Sequence, residues 1–225
     1  MAGPTAVPVD AAQACTPPDT PYPKLFIITP NSPQKLAFAA KTGYEGVVVR
    51  PGPDFNPNLS DSAIDRILAT ARDSGIRIVS IEYFGPNHPR PDTGKRAAAQ
   101  AEFIRALEFC HRLGCKFVGT FSGGQPNVSM EYQAATFADV FNEKYLSICE
   151  KLDLRVGWEN YPTNVNFATT PAAMQAIFDR VPSEKLGLEF DPSHFERLLI
   201  DPISDIEYVL RVGARSAPRL LWSEC

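Results

Sequence analysis

The stretch Leu188-Glu189-Phe190-Asp191-Pro192-Ser193-His194 is the part of this sequence that decides the fold. It has the pattern of an apolar strand that ends on a carboxylate, with an imidazole three residues later. Upstream, Leu154-Arg155-Val156-Gly157-Trp158-Glu159-Asn160 repeats the arrangement, because a short apolar strand there ends on Glu159. Oxygen and nitrogen ligands at the end of a strand suit a divalent metal or a polar substrate. The two stretches therefore predict acidic side chains that converge on one place.

Outward from these stretches, short β-rich runs alternate with amphipathic segments from Lys24 onward. The predicted strands cover residues 24–29, 44–50, 76–83, 115–121, 155–159 and 186–191. The predicted helices cover residues 33–42, 60–74, 95–113, 130–152, 171–181 and 203–212, with Ser60 or Asp61 as the N-cap of the second. Such alternation indicates parallel strands that are connected by covering helices.

Two architectures fit this alternation, an open doubly wound sheet and a (β/α)8 TIM barrel. No Gly-x-Gly-x-x-Gly turn follows the first strand, which argues against a dinucleotide-binding sheet. Polar residues end many different strands, as a barrel active site requires. They are Arg50, Glu82, Ser122, Glu159 and Asp191. We therefore predict an α/β protein of the (β/α)8 TIM-barrel type, incomplete at about six to seven βα units, with a seventh strand beginning over residues 219–222.

Composition indicates one soluble globular domain. The chain has 225 residues, of which 44% are hydrophobic and 21% charged. Its net charge of -4 and the lack of an apolar run long enough to cross a bilayer predict a small-molecule partner rather than nucleic acid or a membrane. Residues 1–23 are rich in Ala and Pro and do not have the pattern of a secretory signal, so we expect a disordered leader followed by a barrel domain over 24–225.

The five cysteines indicate a reducing compartment, since an odd, scattered set does not form a disulfide framework. We predict a cytoplasmic protein on this ground. Cys110, His111 and Cys115 could be imagined as a metal cluster, but Cys110 lies on the apolar face of a helical pattern and Cys115 opens a strand. Core packing is the favoured interpretation of both thiols.

The residues quoted above resemble the xylose isomerase-like TIM barrel superfamily, particularly its sugar phosphate isomerase/epimerase group. The resemblance extends over most of residues 24–212. It is carried by Gly43-Tyr44-Glu45-Gly46-Val47-Val48-Val49, by Ala106-Leu107 through Leu113-Gly114-Cys115, by Trp158-Glu159-Asn160, and by Phe190-Asp191-Pro192-Ser193-His194 with Asp201-Pro202. The resemblance implies an isomerase or epimerase of a ketose or polyol-derived sugar or sugar phosphate, with divalent-metal-assisted proton transfer next to a carbonyl.

The resemblance also implies the roles of individual residues. Glu159 corresponds to a metal ligand that is also the catalytic acid/base, and Asp191 to a second metal ligand. His194 and His88 correspond to substrate-binding histidines, and Glu82 either lines the cavity or pairs with a cation. The implied cofactor is a divalent metal, with Mn, Mg, Co and Zn all compatible with carboxylate and imidazole ligands.

The sequence departs from the family after residue 212. Family members usually supply a histidine from strand seven and a glutamate from strand eight, whereas residues 215–225 match neither, as in a C-terminally truncated chain. With half of the ligand set present, weak metal binding is expected. An inactive barrel remnant or binding protein is therefore the alternative to an enzyme, and a second copy that completes the barrel leaves a homo-oligomer open.

Four further interpretations stay open at this stage. Asp191 could simply cap the following helical turn, with His194 packed beside it. Glu189 shares strand parity with Asp191 and could either form an interior ion pair with Arg155 or support the metal ligands from behind. The Ser122-Gly123-Gly124 turn could meet a phosphate or be only a tight turn. An abasic-site endonuclease or a retaining glycosidase that uses Glu159 and Glu82 are less favoured activities.

Overall fold

The computed structural model describes residues 26–30, 32–50 and 56–203 of the chain. Strands and helices alternate through these ranges. The elements are β1 (Phe26–Pro30), α1 (Pro33–Lys41), β2 (Gly46–Arg50), α2 (Asp61–Asp73), β3 (Arg77–Glu82), α3 (Thr93–Arg112), β4 (Phe117–Thr120), α4 (Met130–Val140), a π-helical segment (Phe141–Tyr145), α5 (Leu146–Leu152), β5 (Arg155–Glu159), α6 (Pro171–Phe178), β6 (Leu186–Glu189) and α7 (Pro192–Arg197).

The described strands form one parallel six-stranded sheet in the order β1-β2-β3-β4-β5-β6. Each strand therefore pairs with the next strand in the chain, which is the connectivity of a TIM barrel. The predicted TIM-barrel type is confirmed, with six strands in these residues. The leader, the last predicted helix beyond residue 203 and the seventh strand predicted at 219–222 lie outside the described residues.

Local sequence signals explain where the helices begin. Ser60 is the N-cap of α2 and accepts a hydrogen bond from the backbone N–H of Ala63, so Ser60 rather than Asp61 fills this role. Asp92 caps α3 in the same way through Lys95. Each cap satisfies a backbone N–H that has no partner within its helix.

The main core lies between the sheet and the helices. Val118, Val156, Trp158 and Leu188 are completely or almost completely buried on the side of the sheet that faces the helices. Trp158 lies in this layer against Phe178 of α6 and donates a hydrogen bond from its indole N–H to the carbonyl of Ala168. Within the described ranges, no helix has both the length and the apolar character that crossing a bilayer requires.

The opposite side of the sheet carries small residues at one level. Gly119, Gly157 and Gly187 are aligned in register across β4, β5 and β6. Because side chains alternate along a strand, Glu159 and Glu189 lie two residues later on the same side, and these two residues are themselves paired in register. In the barrel interior, the acidic side chains of Glu159 and Glu189 therefore lie next to a layer that is formed by glycines.

Candidate metal and substrate site

Glu159, Asp191 and His194 come together at the carboxyl ends of β5 and β6. Nε2 of His194 lies 3.1 Å from Oε1 of Glu159 and 3.4 Å from Oδ2 of Asp191. One potential ligand atom from each residue lies within 4.8 Å of the others, and this is the one such group of three found among the described residues. The structure thus brings together the three residues that the sequence predicted to share a site, which we call the acidic–histidine cluster.

Asp191 serves this cluster and the start of α7 at the same time. Its Oδ1 accepts a hydrogen bond of 2.8 Å from the backbone N–H of Ser193, which makes Asp191 the N-cap of α7. Its Oδ2 remains directed at His194. The capping interpretation is therefore correct, but it does not compete with a ligand role, because a different oxygen is used for each contact.

Asn160 fixes the end of β5 to the end of β6. Its side-chain amide donates to the backbone carbonyl of Asp191 at 2.9 Å, and its side-chain carbonyl accepts from the backbone N–H of Asp191 at 2.8 Å. Asn160 is fully buried. This paired contact sets the separation of Glu159 and Asp191, and sequence analysis assigned no role to Asn160.

Asn166 provides a second connection at the same end of the barrel. Its amide donates to the carbonyls of Glu159 and Tyr161, while its side-chain oxygen accepts from the backbone N–H of Ser122. The turn after β4 is held in this way. Gly124 exchanges two hydrogen bonds with the side chain of Asn87. The Ser122-Gly123-Gly124 segment is therefore a turn secured by two asparagines, which favours the tight-turn interpretation over the phosphate site.

Glu159 and His194 are largely buried within the cluster, which affects the protonation of Glu159. Burial raises the pKa of Glu159 above its ordinary value, and the hydrogen bond from His194 acts in the opposite direction. Nδ1 of His194 is buried and has no hydrogen-bond partner among the described residues. Burial therefore shifts Glu159 toward its protonated form, and the contact with His194 shifts it toward the ionised form.

Glu82 and Glu189 lie in the barrel interior and are both buried. Glu82 pairs with Nε of Arg50 at the end of β2, so its predicted pairing with a cation is found in the structure. The carboxyl group of Glu189 extends across to Gly119 of β4, where an added Cβ would collide with Oε2. Burial, followed by the nearby charges of Glu82 and Glu159, raises the pKa of Glu189 well above its ordinary value.

The predicted Glu189–Arg155 ion pair is wrong. Arg155 is exposed at the start of β5, whereas Glu189 is paired in register with Glu159 at the end of that strand. Four residues of a strand span about 13 Å, so equal parity places the two side chains on one side of the sheet but at different heights. The ion pair seen in this part of the described interior is the one between Arg50 and Glu82.

His88 is buried, outside the acidic–histidine cluster. Its ring nitrogens lie 3.0 Å from the hydroxyl of Tyr145 and 3.2 Å from the hydroxyl of Thr120, and Phe103 packs edge-on against the ring. Burial lowers the pKa of His88 to about 3, so the ring is neutral. Since both nitrogens already face protein hydroxyls, the packing favours a structural role, and the predicted substrate contact stays a prediction.

The cysteines in the described ranges are core residues. Cys110, Cys115 and Cys149 are free and buried, and Cys110 donates to the carbonyl of Phe117. Burial raises the pKa of Cys110 well above its ordinary value. The burial of Cys110 and Cys115 therefore supports core packing over the metal cluster that was considered for them.

The acidic–histidine cluster fits a divalent metal by its donor set. Two carboxylates and one imidazole nitrogen lie close enough together to bind a single ion. These are ligand types that Mn, Mg, Co and Zn accept. Two carboxylate charges would balance a divalent cation. The cysteines of the described residues lie elsewhere, so the set favours oxygen and nitrogen coordination over a structural thiolate site.

Comparison with known proteins identifies relatives of this fold. A family model described as xylose isomerase-like TIM barrel matches residues 36–216. The comparison with curated proteins gave no match. Among solved structures, a D-psicose 3-epimerase determined in the presence of D-fructose superposes with a TM-score of 0.70 at 19% identity, covering 87% of this chain and 70% of that chain.

Two other sugar epimerase structures give similar values. A D-tagatose 3-epimerase-like protein has a TM-score of 0.68 at 18% identity, covering 84% of this chain and 72% of that chain. The 3-keto-D-glucoside 4-epimerase of E. coli, in its apo form, has a TM-score of 0.68 at 12% identity, covering 83% and 75%. At these identities the similarity establishes the shared fold.

Proposed function

The chain belongs to the xylose isomerase-like TIM barrel family, and from this premise we propose that it is a sugar isomerase or epimerase that transfers a proton next to the carbonyl of a ketose or related substrate. The acidic–histidine cluster carries the proposal. Glu159, Asp191 and His194 supply a base, ligands for a divalent metal and a hydrogen-bonding imidazole within a few ångströms of one another.

Glu159 and Asp191 would hold the metal, with His194 beside them facing the substrate. A bound divalent metal would polarise the substrate carbonyl and orient neighbouring hydroxyls. Glu159 removes the proton from the adjacent carbon, and its partly buried position keeps water from competing for that proton. His194 donates or accepts at a substrate oxygen. Asn160 keeps the two carboxylates in register through its paired contact with Asp191.

In isomerisation, one base such as Glu159 moves the carbon-bound proton between adjacent carbons on one face of the substrate, while a second proton moves from the neighbouring hydroxyl to the carbonyl oxygen. Inversion at a carbon takes a second acid on the opposite face. An aldose product therefore indicates isomerisation, and an epimeric ketose product indicates inversion at a carbon. Analysis of the product separates the two reactions.

The decisive experiment measures proton transfer directly. The protein is incubated with Mn²⁺ and a panel of ketoses in D₂O, and deuterium at the carbon next to the carbonyl is followed by NMR. We expect incorporation with the wild type and its loss in Glu159→Gln and Asp191→Asn. Glu196→Gln is the matched control, since Glu196 is an exposed residue of α7.

Retained exchange in Glu159→Gln or Asp191→Asn, with exchange also intact in the control, would remove the basis of this proposal. Metal content tests the alternative of an inactive remnant or binding protein. A stoichiometric divalent metal after purification supports the enzyme, and a small fraction of one equivalent supports the remnant.

A further inference from the structure

Three aromatic side chains form a continuous column at the mouth of the barrel. The rings of Phe84 and Phe121 stack with centroids 4.4 Å apart and an interplanar angle of 18°. Phe121 and Tyr161 follow at 5.9 Å and 14°. We call these three residues the aromatic column. Its members come just after the ends of β3, β4 and β5 and are partly buried.

The aromatic column reaches the acidic–histidine cluster. The rings of Tyr161 and His194 meet edge to face, with centroids 4.8 Å apart and an interplanar angle of 82°. Phe84, Phe121 and Tyr161 directly follow β3, β4 and β5, so the column lies at the same end of the barrel as the cluster. A substrate bound at the cluster would therefore lie against the column.

A guanidinium group lies over each end of the column. Cζ of Arg50 is 5.5 Å from the centroid of Phe84, and Cζ of Arg197 is 5.5 Å from the centroid of Tyr161. Both are cation–π contacts, which hold the guanidinium in place without neutralising its charge.

The two guanidinium groups differ in charge balance. Arg50 is paired with the buried carboxylate of Glu82. Arg197 is exposed, and the ion pairs of the described residues all involve other cations. The end of the column next to the cluster therefore carries a guanidinium that forms no ion pair in the described part of the chain.

The distances fit one small substrate. Because Tyr161 contacts both residues, the 4.8 Å and 5.5 Å separations place Cζ of Arg197 within about 10 Å of the centre of the His194 ring. A six-carbon chain with a terminal anion spans roughly 8 Å, with carbon–carbon bonds of about 1.5 Å. A sugar with its carbonyl end at the cluster can therefore reach Arg197 with its other end.

We propose that Arg197, held over Tyr161, binds the terminal anionic group, phosphate or carboxylate, of a sugar whose carbonyl end occupies the acidic–histidine cluster. This inference rests on the proposed function and names its substrate class. Arg197 forms no ion pair among the described residues, so its guanidinium is available to attract the anionic end and thereby orient the substrate. Tyr161 contacts both His194 and Arg197 and supplies the apolar surface along which the carbon chain lies.

Binding measurements test the proposal without turnover. Isothermal titration calorimetry compares D-fructose, D-fructose 6-phosphate and D-fructuronate in the presence of Mn²⁺, for the wild type, Arg197→Met and Arg155→Met. Arg155 is exposed at the other end of the barrel, so its substitution removes the same charge as a matched control. A charge-assisted hydrogen bond predicts at least about tenfold tighter binding of an anionic sugar than of D-fructose.

We expect Arg197→Met to abolish this preference while D-fructose affinity changes less than about twofold, and Arg155→Met to retain it. Preference for the phosphate alone or for the carboxylate alone identifies the anion, and either supports the proposal. Equal binding of all three sugars by the wild type, binding of none, or the same loss in both variants overturns it. Anion preference with no deuterium exchange would refute the proposed function alone, and exchange without the preference would refute this inference alone.

Discussion

Replacing Glu189 with glutamine should make the stability of this protein less dependent on pH. Glu189 is buried in the barrel interior, where Oε2 has no hydrogen-bond partner among the described residues, and the charges of Glu82 and Glu159 lie nearby. Each of these features disfavours the ionised form. Glutamine has the same shape, carries no charge and can donate a hydrogen bond toward Glu82.

The size of the effect follows from proton linkage. The unfolded chain releases the Glu189 proton with an ordinary glutamate pKa of about 4.3, whereas the raised pKa in the folded state means that the native protein retains it. The stabilisation is therefore fully present below the unfolded pKa and is lost as pH rises through the folded pKa. The loss approaches about 1.4 kcal/mol per pH unit, or up to about 2.5 kcal/mol between pH 5 and pH 7.

Urea unfolding at several pH values between 5 and 7, in EDTA so that metal binding does not contribute, measures this loss. The difference between the free energies of unfolding of Glu189→Gln and wild type should grow in favour of the variant as pH rises. Glu196→Gln provides the control, since it makes the same substitution at an exposed position of α7. A pH-independent difference for Glu189→Gln would show that Glu189 is ionised in the folded protein and that the reasoning from burial is wrong.

Two further predictions concern single buried residues. Asn160→Ala removes both hydrogen bonds to Asp191, so it should lower the free energy of unfolding, measured in urea, by about 2–4 kcal/mol. It should also weaken Mn²⁺ binding in a titration. Unchanged metal affinity would contradict the positioning role of Asn160. His88→Phe should destabilise the protein by about 1–3 kcal/mol, because the contacts of His88 with Tyr145 and Thr120 are lost. It should leave substrate affinity unchanged. A selective loss of sugar binding would instead support the predicted substrate contact.

Periodicity predicted the strands and helices well because each depends on local pattern. The predicted helix over residues 60–74 is observed as Asp61–Asp73, and the predicted strand over residues 155–159 as Arg155–Glu159. The helical region predicted over residues 130–152 is interrupted by the π-helical segment Phe141–Tyr145. Phe141 and Tyr145 are both buried in the core, a packing requirement that the helical pattern of the sequence does not reveal.

The candidate site was predictable where it depended on strand ends. Glu159 and Asp191 follow neighbouring parallel strands, and the carboxyl ends of such strands meet at one edge of the sheet. The Glu189–Arg155 pair failed because parity tells which side of a sheet a residue faces but not its height along the strand. Contacts between distant segments, such as Tyr161 with Arg197 or Asn160 with Asp191, depend on how the loops fold over the barrel mouth.

The sequence by itself determined the alternation, the parallel sheet and the identity of the three residues in the acidic–histidine cluster. These features follow from local periodicity and from the rule that barrel chemistry gathers at the carboxyl ends of strands. Only the tertiary structure decided which partners the other polar groups have and how deeply they are buried. It paired Arg50 with Glu82, directed Glu189 across the barrel against Gly119, enclosed His88, and placed Arg197 over Tyr161. Partners and burial arise from residues far apart in the chain, and they set which charges are neutralised.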